Sequence, residues 1–216
     1  MDAEFWNNRF AAPQYIYGET PNAFVAEMAS QIHAGPVLCL AEGEGRNAVH
    51  LATLGHRVTA VDQSEAGLAK ARRLAAARGV KIKTVLADLE NFTVEPGVWA
   101  GIVSIFAHLP PAIRCKVHAQ VVLGLRPGGV FIVEAYTPAQ LALGTGGPKS
   151  PELLMALARL REELSGLEFL IGREIEREVI EGGDYRLDQS DRRFEAQPVS
   201  GNRAHASLRI LCSGNL

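Results

Sequence analysis

Residues 36–47 read Pro-Val-Leu-Cys-Leu-Ala-Glu-Gly-Glu-Gly-Arg-Asn. An almost unbroken apolar run leads into a Gly-x-Gly turn, and Asn47 to Leu54 then repeats at helical spacing up to Gly55. An apolar run without polar alternation suits a central parallel strand buried on both faces. Strand, glycine turn and helix in that order let backbone N–H groups and a helix N-terminus face a ligand, because glycine has no Cβ to hold it off. The stretch therefore argues for an α/β fold with a nucleotide-like ligand at this loop.

The same alternation extends outward in both directions. Upstream, Thr20-Pro21 reads as an N-cap and first helical residue, followed by Phe24, Val25, Met28, Ala29 and Ile32 at helical spacing and a stop near Gly35-Pro36. Downstream, Arg57 to Val61 reads as a second strand ending at Asp62, and Ser64 as the cap of a helix that reaches Arg78 and stops at Gly79. Lys81–Leu86 is expected as a third strand, Gly101–Phe106 as a fourth, and Pro111 opens a helix toward Leu123. Arg126-Pro127-Gly128-Gly129 reads as a sharp reversal before a fifth strand, Val130–Ala135. Leucines 153, 154, 157, 160 and 164 form a helical stripe behind Ser150-Pro151, and Glu168 to Glu181 reads as a strand with one solvated face. Residues 182–203 are polar and carry no clear pattern, and His205–Cys212 suits a last strand. Alternating strands and helices predict a mostly parallel sheet with helices on both faces.

The 216 residues fit one domain: residues 1–34 an aromatic-rich helix or lid, 36–181 the cofactor-binding core, and 182–216 a poorly assigned tail. A net charge of −2 without a basic stripe disfavours a nucleic-acid partner. Three cysteines without close pairing (Cys39, Cys115, Cys212) suit a reduced compartment. With no signal-like start and no apolar run of membrane-spanning length, a cytoplasmic protein that avoids membranes is expected. No metal-ligand spacing is present, so no metal is expected. The oligomeric state is not legible.

Two readings of the loop compete. Gly43-Glu44-Gly45-Arg46-Asn47-Ala48 matches the dinucleotide fingerprint GxGxxA, with Asp62 near the distance expected for a ribose acceptor, which permits an NAD-dependent oxidoreductase. A pyrophosphate would then sit beside Glu42 and Glu44, and like charges make that costly. S-adenosylmethionine has no phosphate and carries a sulfonium and an ammonium, so acidic loop residues suit it. The dinucleotide reading also predicts a first strand near the chain start, whereas 35 residues precede Pro36. Asp62 can bind both ribose hydroxyls or serve as a turn acid. Asp88 can accept from the adenine amino group with Leu89 packed on the ring, or simply cap a turn. Ligands of open α/β sheets gather outside the carboxyl ends of the strands, so Ala41 to Asn47, Asp62, Asp88 and Ser104 to His108 should converge on one crevice.

The runs CLAEGEGRNAVHLA (39–52), VTAVDQS (58–64), ADLENF (87–92), IVSIFAHLPP (102–111), LRPGGVFIVEAYTPAQL (125–141) and GTGGPKSPELL (144–154) resemble the bacterial class I methyltransferases of the tellurite-resistance type. The resemblance implies a Rossmann-like, seven-stranded sheet ending in an antiparallel hairpin. It also implies S-adenosylmethionine as methyl donor, S-adenosylhomocysteine as product, and a small acceptor such as a thiol or a tellurium or selenium oxyanion. This chain departs from the commoner loop, which has an acid at Cys39, a glycine at Ala41 and often a cysteine at Glu42, so the contact to the methionine amine falls to Glu42. An aspartate common before the fourth strand is absent from Trp99-Ala100-Gly101.

The cofactor set is then Tyr17, Ala41, Glu42, Gly43, Gly45, Arg46, Asn47, Asp62, Gln63, Asp88, Leu89, Ser104 and Phe106. Arg46 and Asn47 can hold the methionine carboxylate or cap the helix. His108, behind the fourth strand, can orient or deprotonate an acceptor, or hydrogen-bond a loop. Phe5, Trp6, Phe10, Tyr15 and Tyr17 either fold over the cofactor as a lid, with Tyr15 or Tyr17 at the methionine end or the acceptor, or pack as a helix on the sheet. Tyr15 and Tyr136 are the expected acceptor contacts. A non-catalytic module that binds S-adenosylmethionine would use the same loop.

Overall fold

The computed structural model describes residues 2–179 and 203–214. Most of the unpatterned segment from residue 182 thus lies outside the described residues. Seven strands form one sheet: β1 (Pro36–Leu40), β2 (Arg57–Asp62), β3 (Lys83–Leu86), β4 (Trp99–Ile105), β5 (Leu125–Tyr136), β6 (Leu167–Val179) and β7 (Arg203–Gly214). Their order is β3-β2-β1-β4-β5-β7-β6. The first five run parallel, and β7 pairs antiparallel with both β5 and β6. This is the Rossmann-like sheet with a closing antiparallel hairpin. Strand order reverses between β1 and β4, which puts the ligand crevice at the carboxyl ends of those strands.

Period-two alternation in β1 divides the core. Leu38 and Leu40 pack with Ile102, Phe131, Val117 and Leu160 on one face. Val37 and Cys39 pack on the other with Val103, Ile132, Phe24 and Leu51. Strands covered on both faces need no polar alternation, which is why the run at 36–40 is uniformly apolar. The helices are α1 (Ala3–Phe10), α2 (Ala23–Met28), α3 (Arg46–Thr53), α4 (Glu65–Ala77), α5 (Pro111–Gly124), α6 (Gln140–Leu143) and α7 (Leu157–Glu163). Between α5 and α7, buried Glu163 takes a bidentate contact from Arg114 and a 2.7 Å contact from His118. Among the described residues no helix is long and apolar enough to cross a membrane.

Several boundaries differ from expectation for local reasons. The N-cap of α2 is Asn22 rather than Thr20, because its side chain accepts from the N–H groups of Phe24 and Val25. Arg126-Pro127-Gly128-Gly129 is absorbed into β5 as a bulge: Trp99 pairs with Leu125 and Gly101 with Val130. Gly128 makes this possible at φ +70. The leucine stripe is broken into a 3₁₀ turn, Pro151–Leu153, and α7, since the Met155 N–H leaves the helical pattern to donate to the Tyr136 carbonyl at 2.9 Å. The short helix α6 has no counterpart in the sequence reading.

Candidate active site

The glycine loop between β1 and α3 keeps most of its amides within the chain. Glu42 N–H donates to the Val61 carbonyl at 3.1 Å and Gly45 N–H to the Glu42 carbonyl at 3.4 Å. Gly43 N–H donates to Asp62 Oδ2 at 2.8 Å. At the start of α3, the N–H groups of Asn47 and Ala48 both donate to Glu42 Oε1, at 2.9 and 2.8 Å. Glu42 is buried, and burial pushes its carboxyl up to about 7 against the Ala48 and Asn47 amides and Arg46, which favour the charged form. The Cys39 thiol beside it is held well above its usual range by burial and by Glu42. Glu42 thus caps α3 with its carboxylate.

Gly45 is the N-cap of α3 at φ +94, and a Cβ there would lie 2.5 Å from the Ala71 Cβ of α4. Ala41 also has positive φ, +49, in the left-handed region where a side chain is disfavoured.

Asp62, at the end of β2, accepts from Gly43 N–H with one oxygen and from Ser64 N–H, at 2.8 Å, with the other. Burial raises the Asp62 carboxyl, offset by the amides of Ser64, Gly43 and Gln63. Asp88 is exposed and accepts from Glu90 N–H at 2.9 Å, a turn-capping contact, while Leu89 is buried. Ser104 is buried on β4 between Leu40 and Val133.

Glu44 lies buried against Lys70 of α4 at 2.6 Å and accepts from Ile16 N–H at 2.9 Å and Tyr17 N–H at 3.4 Å. Its charge is therefore compensated and ties residues 16–17 to the loop. Lys70 also donates to the Gln14 carbonyl at 2.6 Å. The N-terminal segment packs on α4 and covers the loop together: Asn7 Oδ1 accepts from Ser64 Oγ and Ala66 N–H, and the Phe10 ring lies where Cβ atoms on Gly43 and Gly67 would meet it. The Tyr15 hydroxyl, expected at the acceptor, donates to the Lys70 carbonyl of α4 at 3.0 Å. Tyr17 is flanked by Arg9 and Arg46, 5.5 and 5.9 Å from its ring centre, and its carbonyl accepts from Arg46 at 3.0 Å. Asn47 Oδ1 accepts from Asn22 N–H at 2.9 Å, so its side chain ties α2 to α3 rather than capping its own helix.

Beyond β4 and β5 the aromatic rings stack. Phe106 lies 4.6 Å from Tyr136, and His108 lies 5.4 Å from Tyr136 at 9°. Phe106 holds φ +54, and its N–H donates to the Glu134 carbonyl at 2.7 Å. His108 Nδ1 is 2.9 Å from the Leu153 carbonyl, and Nε2 accepts from Tyr136 N–H at 3.4 Å. This pattern fits the neutral ring with its proton on Nδ1. Burial pushes His108 down to about 4, against the Leu153 carbonyl, with the Arg114 charge adding to the fall. Of the two roles expected of it, acceptor base or loop partner, these contacts bear on the second: both nitrogens are engaged, and the ring fastens the 151–153 turn to β5. A Cβ on Gly147 would meet the Tyr136 ring at 2.6 Å, so the loop at 144–147 borders the same stack.

Glu134 is the functional-region residue that sequence reasoning missed. Fully buried on β5, it accepts from Asn22 Nδ2 at 2.9 Å, Ser207 Oγ at 3.1 Å and Arg209 Nε at 3.2 Å. A lone acid inside the apolar run Val130–Ala135 was the available signal.

Residues 37–129 match the family model described as a methyltransferase domain. No curated protein matches the chain. Similar solved structures include one described by the conversion of a disulfide bond into a thioacetal group during echinomycin biosynthesis, with 19% identity over 99% of this chain and 92% of that one and a TM-score of 0.71. TehB from Haemophilus influenzae has 20% identity over 99% and 67%, with a TM-score of 0.68. A putative S-adenosylmethionine dependent methyltransferase from Listeria monocytogenes has 17% identity over 89% and 96%, with a TM-score of 0.62. A methyltransferase with S-adenosylmethionine as its cofactor is what these findings support.

Proposed function

We propose that the chain acts as one unit, in which the methyltransferase domain passes the methyl group of S-adenosylmethionine to a small, soft nucleophile such as a thiol or a tellurium or selenium oxyanion. Asp62 carries this reading. It closes β2 beside the glycine loop, held there by the amides of Gly43 and Ser64, where a carboxylate suits the ribose hydroxyls as an acceptor. Leu89, buried, and Asp88, exposed, flank the adenine. Ala41, Gly43, Gly45 and Gln63 line the adenosine side, Ser104 and Phe106 the far wall, and Arg46 with Tyr17 the carboxylate end. The sulfonium supplies an activated methyl group when the cofactor is bound. The protein positions the reactants and excludes water. Phe106, His108 and Tyr136 form an apolar, uncharged wall, and His108 acts by holding Tyr136 and the 151–153 turn in place.

The choice of a soft acceptor rests on two supports. His108, with both nitrogens engaged, offers no base, so an acceptor that is already nucleophilic suits the wall. The likeness to TehB and to a structure described by sulfur chemistry points the same way.

Calorimetric titration tests the reading. S-adenosylmethionine and S-adenosylhomocysteine should bind and NAD should not, and Asp62→Ala should weaken S-adenosylhomocysteine by about tenfold or more, as loss of hydrogen bonds to a charged acceptor does. Binding of NAD alone would overturn it. Methyl-labelled cofactor incubated with thiols, selenite and tellurite then separates an enzyme from a module that only binds.

A further inference from the structure

The GxGxxA loop admits two cofactors by sequence, and the structure points to the residue that chooses between them. In a dinucleotide site the pyrophosphate is held by unpaired amides at the glycine turn and the helix start. Here the amides of Gly43, Asn47 and Ala48 are taken by carboxylates of the chain itself, Asp62 for the first and Glu42 for the other two. Glu42 is buried, and a single one of its oxygens takes both amides of the first turn of α3. Its placement is fixed from three sides: its own N–H donates to Val61, its carbonyl accepts from Gly45, and Cys39 packs its thiol against the carboxyl.

We propose that Glu42 is the specificity-determining residue of the loop: its carboxylate fills, from within the chain, the anion position at the start of α3, so that only a phosphate-free adenosine ligand fits. The inference rests on the methyl-donor reading above and adds the means of selection. Two effects act together. Above about pH 7, where Glu42 is ionised, its negative charge repels a phosphate, and at any pH the two amides have no N–H left to offer it. A ligand bearing an ammonium and a sulfonium meets neither obstacle.

The experiment compares the parent chain with Glu42→Ala and Glu42→Gln, each titrated with S-adenosylhomocysteine and with adenosine 5′-diphosphate. Alanine frees both amides and removes the charge, and the affinity for adenosine 5′-diphosphate itself should rise by about tenfold or more, the yield of one charge-assisted hydrogen bond, whatever S-adenosylhomocysteine loses with the Glu42 carboxyl. Glutamine keeps an oxygen on the amides and removes only the charge, so above about pH 7 the affinity for adenosine 5′-diphosphate should rise by less, about threefold, as for one modest electrostatic contact. If Glu42→Ala does not fold, Glu42→Gln decides alone. Unchanged or weakened binding of adenosine 5′-diphosphate in both variants, as a purely structural cap would give, overturns the inference. Failure of the parent chain to bind S-adenosylhomocysteine at all instead overturns the methyl-donor reading.

Discussion

Ala41 is the residue at which the loop departs most plainly from local preference. It follows β1 at φ +49, where an L side chain costs roughly 1 kcal/mol. Nothing in the chain's hydrogen bonding requires the methyl group, so Ala41→Gly should raise stability by about 0.5 kcal/mol, the relief of strain less the entropy that glycine adds to the unfolded chain. A urea midpoint with unchanged slope measures it, and a loss of stability would mean that the Ala41 side chain packs more strongly than its backbone is strained. Gly45 stands opposite. Its φ of +94 and the 2.5 Å approach to Ala71 leave no room for a Cβ, so the second glycine of the loop is fixed by packing as well as by backbone. The glycines were legible because their chemistry is local. The positive φ of Ala41 and Phe106 was not, since neither residue type announces it.

At the scale of elements, the N-terminal segment is fastened to the loop through one ion pair. Glu44 and Lys70 are both buried at 2.6 Å, and their remaining hydrogen bonds go to the backbone of residues 14, 16 and 17. Removing one member leaves a buried charge alone. Glu44→Gln should therefore cost about 3 kcal/mol and speed amide exchange at Ile16 and Tyr17, while Glu44→Gln combined with Lys70→Met should recover most of the loss. A double variant no more stable than the single one would show that the pair is not the fastening. Sequence reading took Glu44 as a charge facing the ligand, because its partner lies 26 residues away on α4. Helices and strands were legible where one element sets its own pattern: β1, the Ser64 cap and α5 all fall where periodicity and caps place them. They were misread where a neighbour takes over a backbone group. Met155 N–H leaves its helix for Tyr136, and Asn22 wins the α2 cap from Thr20.

For the molecule as a whole, Glu42 and His108 set opposing dependences of stability on pH. Glu42 has a folded value of about 7 against 4.5 unfolded, so the folded state holds this proton more tightly; the contribution is full below 4.5 and is lost as pH rises through about 7. His108 has a folded value of about 4 against 6.5 unfolded, so its contribution is full above 6.5 and is lost as pH falls through about 4. Across the shared window the two slopes have opposite sign and largely cancel, each being about 1.4 kcal/mol per pH unit where it is fully developed. Asp62 adds to the side of Glu42, and His50 and His56 add to that of His108. Single substitutions should uncover the hidden terms. Relative to the parent chain, Glu42→Gln should make stability rise with pH between about 4.5 and 6.5, and His108→Asn should make it fall over the same window. Urea unfolding at half-unit pH steps measures both differences. Two variants displaced from the parent by a constant amount at every pH would show that neither group changes its proton affinity on folding, and would return His108 to consideration as a group that titrates freely beside the acceptor.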